Sequence, residues 1–120
     1  MPPNGWSDAS KWSRVPVKQK RLDRFVQNMN NGVRYNILTL DIQGAELKAL
    51  TGATDLFGDV DAIITEFSTK ASYQDQALVG DLDAFLAPHD FVRVQTLPTW
   101  ALYHGDALYV KKKFADNWPM

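Results

Sequence analysis

Tyr35-Asn36-Ile37-Leu38-Thr39-Leu40-Asp41-Ile42-Gln43-Gly44-Ala45-Glu46-Leu47-Lys48-Ala49-Leu50 is the stretch that decides the fold of this chain. Ile37, Leu38 and Leu40 form a near-continuous apolar run. A strand buried on both faces needs that pattern, whereas a half-exposed strand alternates. Asp41 ends the run and Gly44 follows. Ala45 to Leu50 are strong helix formers, and Gly52 sits where a C-terminal glycine cap is expected. The stretch reads as strand, turn, helix.

Downstream the logic repeats. Val60, Ala62, Ile63 and Ile64 form a second buried run, closed by Thr65-Glu66. A helix is predicted from Ser72 to about Leu86. Asp75 stands three residues after Ser72, in the manner of a capping box. Leu78, Leu82, Phe85 and Leu86 line one helix face, and Pro88 breaks it. Strand, helix, strand in this order predicts parallel strands with a right-handed crossover. Phe91, Val92 and Val94 then give a strand, and Ala107 to Val110 another. No helical pattern separates them, so an antiparallel hairpin is expected. The fold class is therefore α/β, a mostly parallel sheet with one reversed strand. Lys111-Lys112-Lys113 marks the exposed end.

Upstream, residues 1 to 14 are rich in Pro, Gly, Ser, Asn and Trp and have no period, which predicts an irregular lead-in. Val15-Pro16-Val17 suits a short edge strand, because Pro cannot donate to a central ladder. Leu22, Phe25, Val26 and Met29 place one apolar face on a short helix. Asn28, Asn30, Asn31 and Gly32 stop it.

Composition excludes several classes. The 120 residues are 45% hydrophobic and 22% charged, with 13 basic and 14 acidic side chains and a net charge of -1. That is one modest core and no footprint for nucleic acid or an anionic membrane. The absence of cysteine removes disulfides and thiolate chemistry. No stretch approaches the roughly 20 apolar residues of a membrane span. The N-terminus carries no signal pattern, so a cytoplasmic protein is expected.

Ligands of open α/β sheets bind beyond the carboxyl ends of the strands. Asp41, Glu46 and Glu66 fall there. Asp41 and Glu66 end neighbouring strands, so their carboxyls are expected to share one crevice, as an acid/base pair requires. The bland alternative is that Asp41 caps the next helix and Glu66 meets a nearby donor. His89 and His104 share no ligand spacing, and no metal site is expected. Lys18, Lys20, Arg21 and Arg24 read as a solvated face. Trp100 and Tyr103 suit stacking on a sugar, or packing over the hairpin.

Leu38-Thr39-Leu40-Asp41-Ile42-Gln43-Gly44-Ala45-Glu46-Leu47 resembles the central signature of FkbM-family methyltransferases: a buried strand, Asp, an aliphatic, Glu or Gln, Gly, any residue, Glu. The flanks agree. Arg21-Leu22-Asp23, Leu50-Thr51-Gly52-Ala53, Ile64-Thr65-Glu66, Leu82-Asp83-Ala84-Phe85-Leu86 with Phe91, and Gly105-Asp106-Ala107-Leu108-Tyr109-Val110 each resemble a family element in one register. The likeness covers residues 15 to 113 and leaves 114 to 120 as a tail. Arg24 departs from it, standing where the family often has an acidic residue.

The resemblance implies the C-terminal half of a Rossmann-like class I methyltransferase fold. It implies transfer of a methyl group from S-adenosylmethionine to a hydroxyl of a small molecule or glycan, such as a sugar or secondary metabolite. Asp41, Glu46 and Glu66 would be catalytic, with Asp41 and Gln43 beside the cofactor. Tyr73, with Trp100 and Tyr103, would border the acceptor. Donor binding in this fold uses a Gly-rich turn and a ribose-binding carboxylate. No two of the seven glycines form Gly-x-Gly, and the family's first three strands have no counterpart before residue 35. The expectation is a chain that works with a donor-half polypeptide, or a non-catalytic α/β module. In either case it would associate through the open edge of the strand at 35 to 40.

Overall fold

The computed structural model describes residues 13–29, 32–70, 78–98 and 104–119. Helix α1 spans Leu22–Met29, strand β1 Ile37–Leu40, helix α2 Glu46–Thr51 and strand β2 Ala62–Ser68. Helix α3 (Val79–Leu86), the hairpin strands β3 (Phe91–Pro98) and β4 (His104–Lys111), and the single-turn helix α4 (Lys112–Ala115) follow. Short 3₁₀ turns at Thr54–Leu56 and Ala87–His89 lead out of α2 and α3.

The four strands form one sheet in the order β1-β2-β4-β3. β1 runs parallel to β2, with Leu40 beside Thr65. β4 is antiparallel to both of its neighbours. Three strands therefore share one direction, and the reversed strand lies between β2 and β3. This is the α/β arrangement that the sequence predicts, hairpin included. β2 and β4 are longer than the apolar runs suggest, because pairing continues through Glu66 and Phe67 out to Ser68 opposite His104.

One face of the sheet carries the core. Leu40, Ile63, Ala107 and Tyr109 meet Leu50 of α2 and Leu82 and Leu86 of α3. Phe57, Val60 and Phe91 close the lower end, with Phe57 edge-on to the rings of Phe91 and His89. Tyr109 is fully buried, and its hydroxyl donates to Asp83 at 2.5 Å while Arg93 grips the same carboxylate with two hydrogen bonds. Burial and the Asp83 charge both raise the Tyr109 pKa, so this group is a structural donor.

Several expectations need correction. β1 is not buried on both faces. Ile37 is 60% exposed and Thr39 is exposed, while Leu38 and Leu40 point inward. Both described helices of the core lie against the other face, so among the described residues no helix covers the second side of the run. Val15-Pro16-Val17 forms no strand, and both valines are open to solvent. Gly52 ends α2 without a left-handed cap, at φ -85°. Its carbonyl instead accepts the Asp23 N–H, and a Cβ there would lie 3.5 Å from the Arg21 Cα. The apolar stripe of α1 is half covered, with Phe25 and Met29 exposed. The helix is anchored by Asp23 rather than by that stripe. Lys111 ends a strand, not a free terminus, with its ammonium over the Phe91 ring. The predicted start of the third helix at Ser72 and Asp75 lies outside the described residues. The described helix opens with the Leu78 N–H donating to the Asp81 carboxylate at 2.9 Å.

Candidate active site

The register of β1 against β2 builds this site. Leu40 pairs with Thr65, so the next residue of each strand, Asp41 and Glu66, stand side by side at the carboxyl ends. A side-chain hydrogen bond to Asp41 favours the protonated form of Glu66. Glu66 is pushed up to about 7. The largest cause is that bond to Asp41, followed by burial and by the negative charges of Asp41, Glu46 and Asp106. Like charges forced together raise one of the pair. The result is a carboxyl group that exchanges its proton near neutrality.

Glu46 sits differently. It is buried, and its two oxygens accept the backbone N–H groups of Ile42 at 2.7 Å and Gly44 at 3.0 Å. The turn it fixes is tight. Gln43 has φ 57° and Gly44 φ 101°, both in the region where L side chains are strained. Glu46 thus braces the loop that carries Asp41, and Gln43 is at the loop's apex. Tyr73, Trp100 and Tyr103 lie outside the described residues.

β4 contributes a residue that sequence reasoning left aside. Glu66 pairs with Asp106 and Ser68 with His104, which puts the imidazole on the diagonal from Glu66. The His104 Nδ1 is 3.8 Å from Glu66 Oε1, and both side chains are about three-quarters buried. Gly105 between them permits the strand to come this close. A Cβ there would fall 2.7 Å from the Leu97 carbonyl and from the Phe67 ring.

A family model, the methyltransferase FkbM domain, matches residues 5–93, about three quarters of the sequence. The chain belongs to the FkbM methyltransferase family. The FkbM match includes the whole of β1, α2, β2 and α3, and hence Asp41, Glu46 and Glu66. It stops in β3, before His104. Among solved structures, magnesium protoporphyrin IX methyltransferase (ChlM) from Synechocystis PCC 6803, with bound SAM, is similar with a TM-score of 0.49 and 20% identity. That likeness covers 65% of this chain and 39% of the other, so the FkbM chain spans well under half of that enzyme. No curated protein sequence matches significantly.

A cavity of about 470 Å³ lies between residues 19–22 and α2. Its lining includes Lys20, Arg21 and Lys48 with Ile42, Ala45 and Ala49, and no carboxylate. A sulfonium cation with two ribose hydroxyls is not suited to such a wall, which wants negative charge at both groups. No described helix is long and apolar enough to cross a membrane.

Proposed function

We propose that this chain is the proton-handling half of an S-adenosylmethionine-dependent O-methyltransferase that acts on a hydroxyl of a small molecule or glycan. Family membership supports the reaction class. The observation that carries the reading is the Asp41–Glu66 pair, two carboxyls brought side by side by adjacent parallel strands, with Glu66 pushed up to about 7. An alcohol is a poor nucleophile until its proton has somewhere to go. A base poised near the working pH is what general-base catalysis asks for. With both carboxyls ionised, the pair takes the proton of the acceptor O–H and leaves the electron pair on oxygen. S-adenosylmethionine, held by a separate donor-binding half, supplies the methyl group. Asp41 and Glu66 are the catalytic residues in this reading. Glu46 holds the Asp41 loop, and Gln43 faces the donor side.

The test is methyl transfer from radiolabelled S-adenosylmethionine to a panel of sugars and phenols. It is run with the chain alone and with the donor-binding half of an intact FkbM enzyme added as a second polypeptide. Label should move only in the mixture, and Asp41→Asn and Glu66→Gln should each slow it at least tenfold, within the usual range for a general base. A mixture that methylates no hydroxyl, or variants at full rate, overturns the reading. Calorimetric titration of the chain alone should show no S-adenosylmethionine binding in the low micromolar range. Such an affinity would place the donor site within this chain.

A specific observation also favours association. Among the described strands nothing pairs with the outer edge of β1, and Ile37 and Tyr35 are exposed there. An uncharged apolar edge is a template for another strand. Sedimentation over a range of concentrations should show self-association that Ile37→Lys abolishes. A monomer at all concentrations removes this second element.

A further inference from the structure

We propose that His104 is a positioning residue of the site, holding the Glu66 carboxylate in its ionised form from the reversed strand β4. The inference rests on the reading of Asp41 and Glu66 as the proton-accepting pair, and it lies outside the family match, which ends at residue 93.

The geometry brings three strands to one point. Asp41 follows β1, Glu66 is on β2, and His104 opens β4 with its Nδ1 3.8 Å from Glu66 Oε1. Proton uptake by the pair requires that both carboxyls first be ionised, which puts two negative charges side by side. Every other titratable group facing Glu66 among the described residues makes that worse: Asp41 from the loop after β1, Glu46 from α2 and Asp106 from β4 itself. His104, when protonated, is a group of opposite sign within ion-pair distance of Glu66 among the described residues. A cation that close favours the charged form of its neighbour. The position is held by backbone, since Ser68 and His104 close the β2–β4 ladder and Gly105 admits no larger residue.

The sequence makes the test clean, because Glu46 and Glu66 are the only glutamates and His89 and His104 the only histidines. The chain, labelled with ¹³C at the glutamate carboxyls, is titrated by NMR from pH 4 to 9. His104→Gln should raise the Glu66 midpoint by about half a unit or more, the scale of a single nearby charge. His104→Lys, which keeps a cation, should return it toward the parent value. A folded His104→Gln chain whose Glu66 midpoint moves by less than about 0.2 unit overturns the proposal, because a cation at ion-pair distance cannot act so weakly. Should that variant fail to fold, the parent itself serves. With ¹⁵N-histidine, the ring nitrogens of His104 should register the Glu66 step and those of His89 should not, and Glu66→Gln should erase it. His104 signals indifferent to Glu66 overturn the proposal equally. None of these readouts uses the methyl donor, so failure here leaves the methyl-transfer result standing, and failure of methyl transfer leaves this coupling measurable.

Discussion

Asp23 and Glu66 are both carboxyls in the sheltered part of one small domain, and the fold drives them in opposite directions. Asp23 is fully buried, yet it is held down to about 2, first by the hydrogen bond from Arg21. That guanidinium meets both of its oxygens, at 3.1 and 2.8 Å, and the backbone N–H groups of Arg24 and Asp55 donate at 2.8 and 3.1 Å. Glu66 is less buried, but its neighbours are other acids, and it is pushed up to about 7. Burial alone therefore decides neither case. The count of donors around a carboxyl does. The satisfied acid pins α1 to the turn after α2, and the crowded one is left with a proton to trade.

The comparison can be broken from the Asp23 side first. Asp23→Ala removes the partner of two backbone N–H groups and of Arg21. It should cost about 2–4 kcal/mol in urea unfolding, since each orphaned buried donor carries its own desolvation penalty. A loss below about 1 kcal/mol would show that α1 is held by its apolar stripe after all. On the other side, Gly105→Ala changes no charge but forces β4 away from Phe67 and Leu97. It should cost about 1–3 kcal/mol, the usual penalty for overpacking, and should also lower the Glu66 midpoint as Glu66 gains water. An unchanged stability would mean the strand yields there.

The pH dependence sharpens the contrast with a smaller effect. Asp23 is depressed in the folded state, so its contribution is present above its unfolded value near 4 and is lost as pH falls toward 2. Glu66 is raised, so its contribution is present below about 4.5 and is lost as pH rises through 7. Thermal melts should therefore decline on both flanks. Glu66→Gln should flatten the decline between pH 5 and 8, and Asp23→Asn the one below pH 4. If Glu66→Gln leaves the neutral flank unchanged, Asp41 and Glu66 do not share a proton.

Half of this contrast was readable in the sequence. The convergence of Asp41 and Glu66 follows from two apolar runs that each end in an acid and are joined by a helix, because parallel strands align their carboxyl ends. The hairpin was equally legible from two apolar runs with no helical period between them. The buried state of Asp23 was not. An acid in the first turn of a helix is ordinarily solvated, and the donor that buries this one, the Asp55 N–H, lies 32 residues away. His104 escaped for the same reason. Its neighbour Glu66 is set by which strand lies between β2 and β3, a fact of pairing rather than of pattern. The exposed side of β1 was misread because an apolar run records what a strand can bury, and the described helices cover one face.

The short ladder of β1 has a dynamic consequence. β1 is tied to the sheet only from Ile37 to Leu40, whereas β2 and β4 are paired along their full length. Local opening should begin with the least attached strand. When β1 lifts away, Asp41 leaves Glu66, and the proton they share loses half of its binding site. Between about pH 4.5 and 7 the closed pair keeps a proton that the freed Glu66 gives to solvent, so opening becomes easier as pH rises through that window. Amide exchange at Leu38 and Leu40 should accelerate between about pH 4.5 and 7 by more than the tenfold per unit that base catalysis alone imposes, by up to about another tenfold per unit for one released proton, and return to the ordinary slope above 7. The amides of Leu108 and Val110 should keep the ordinary slope. The carboxyl pair would then be a latch on the strand as well as a base, undone by the same proton transfer that gives it chemical use.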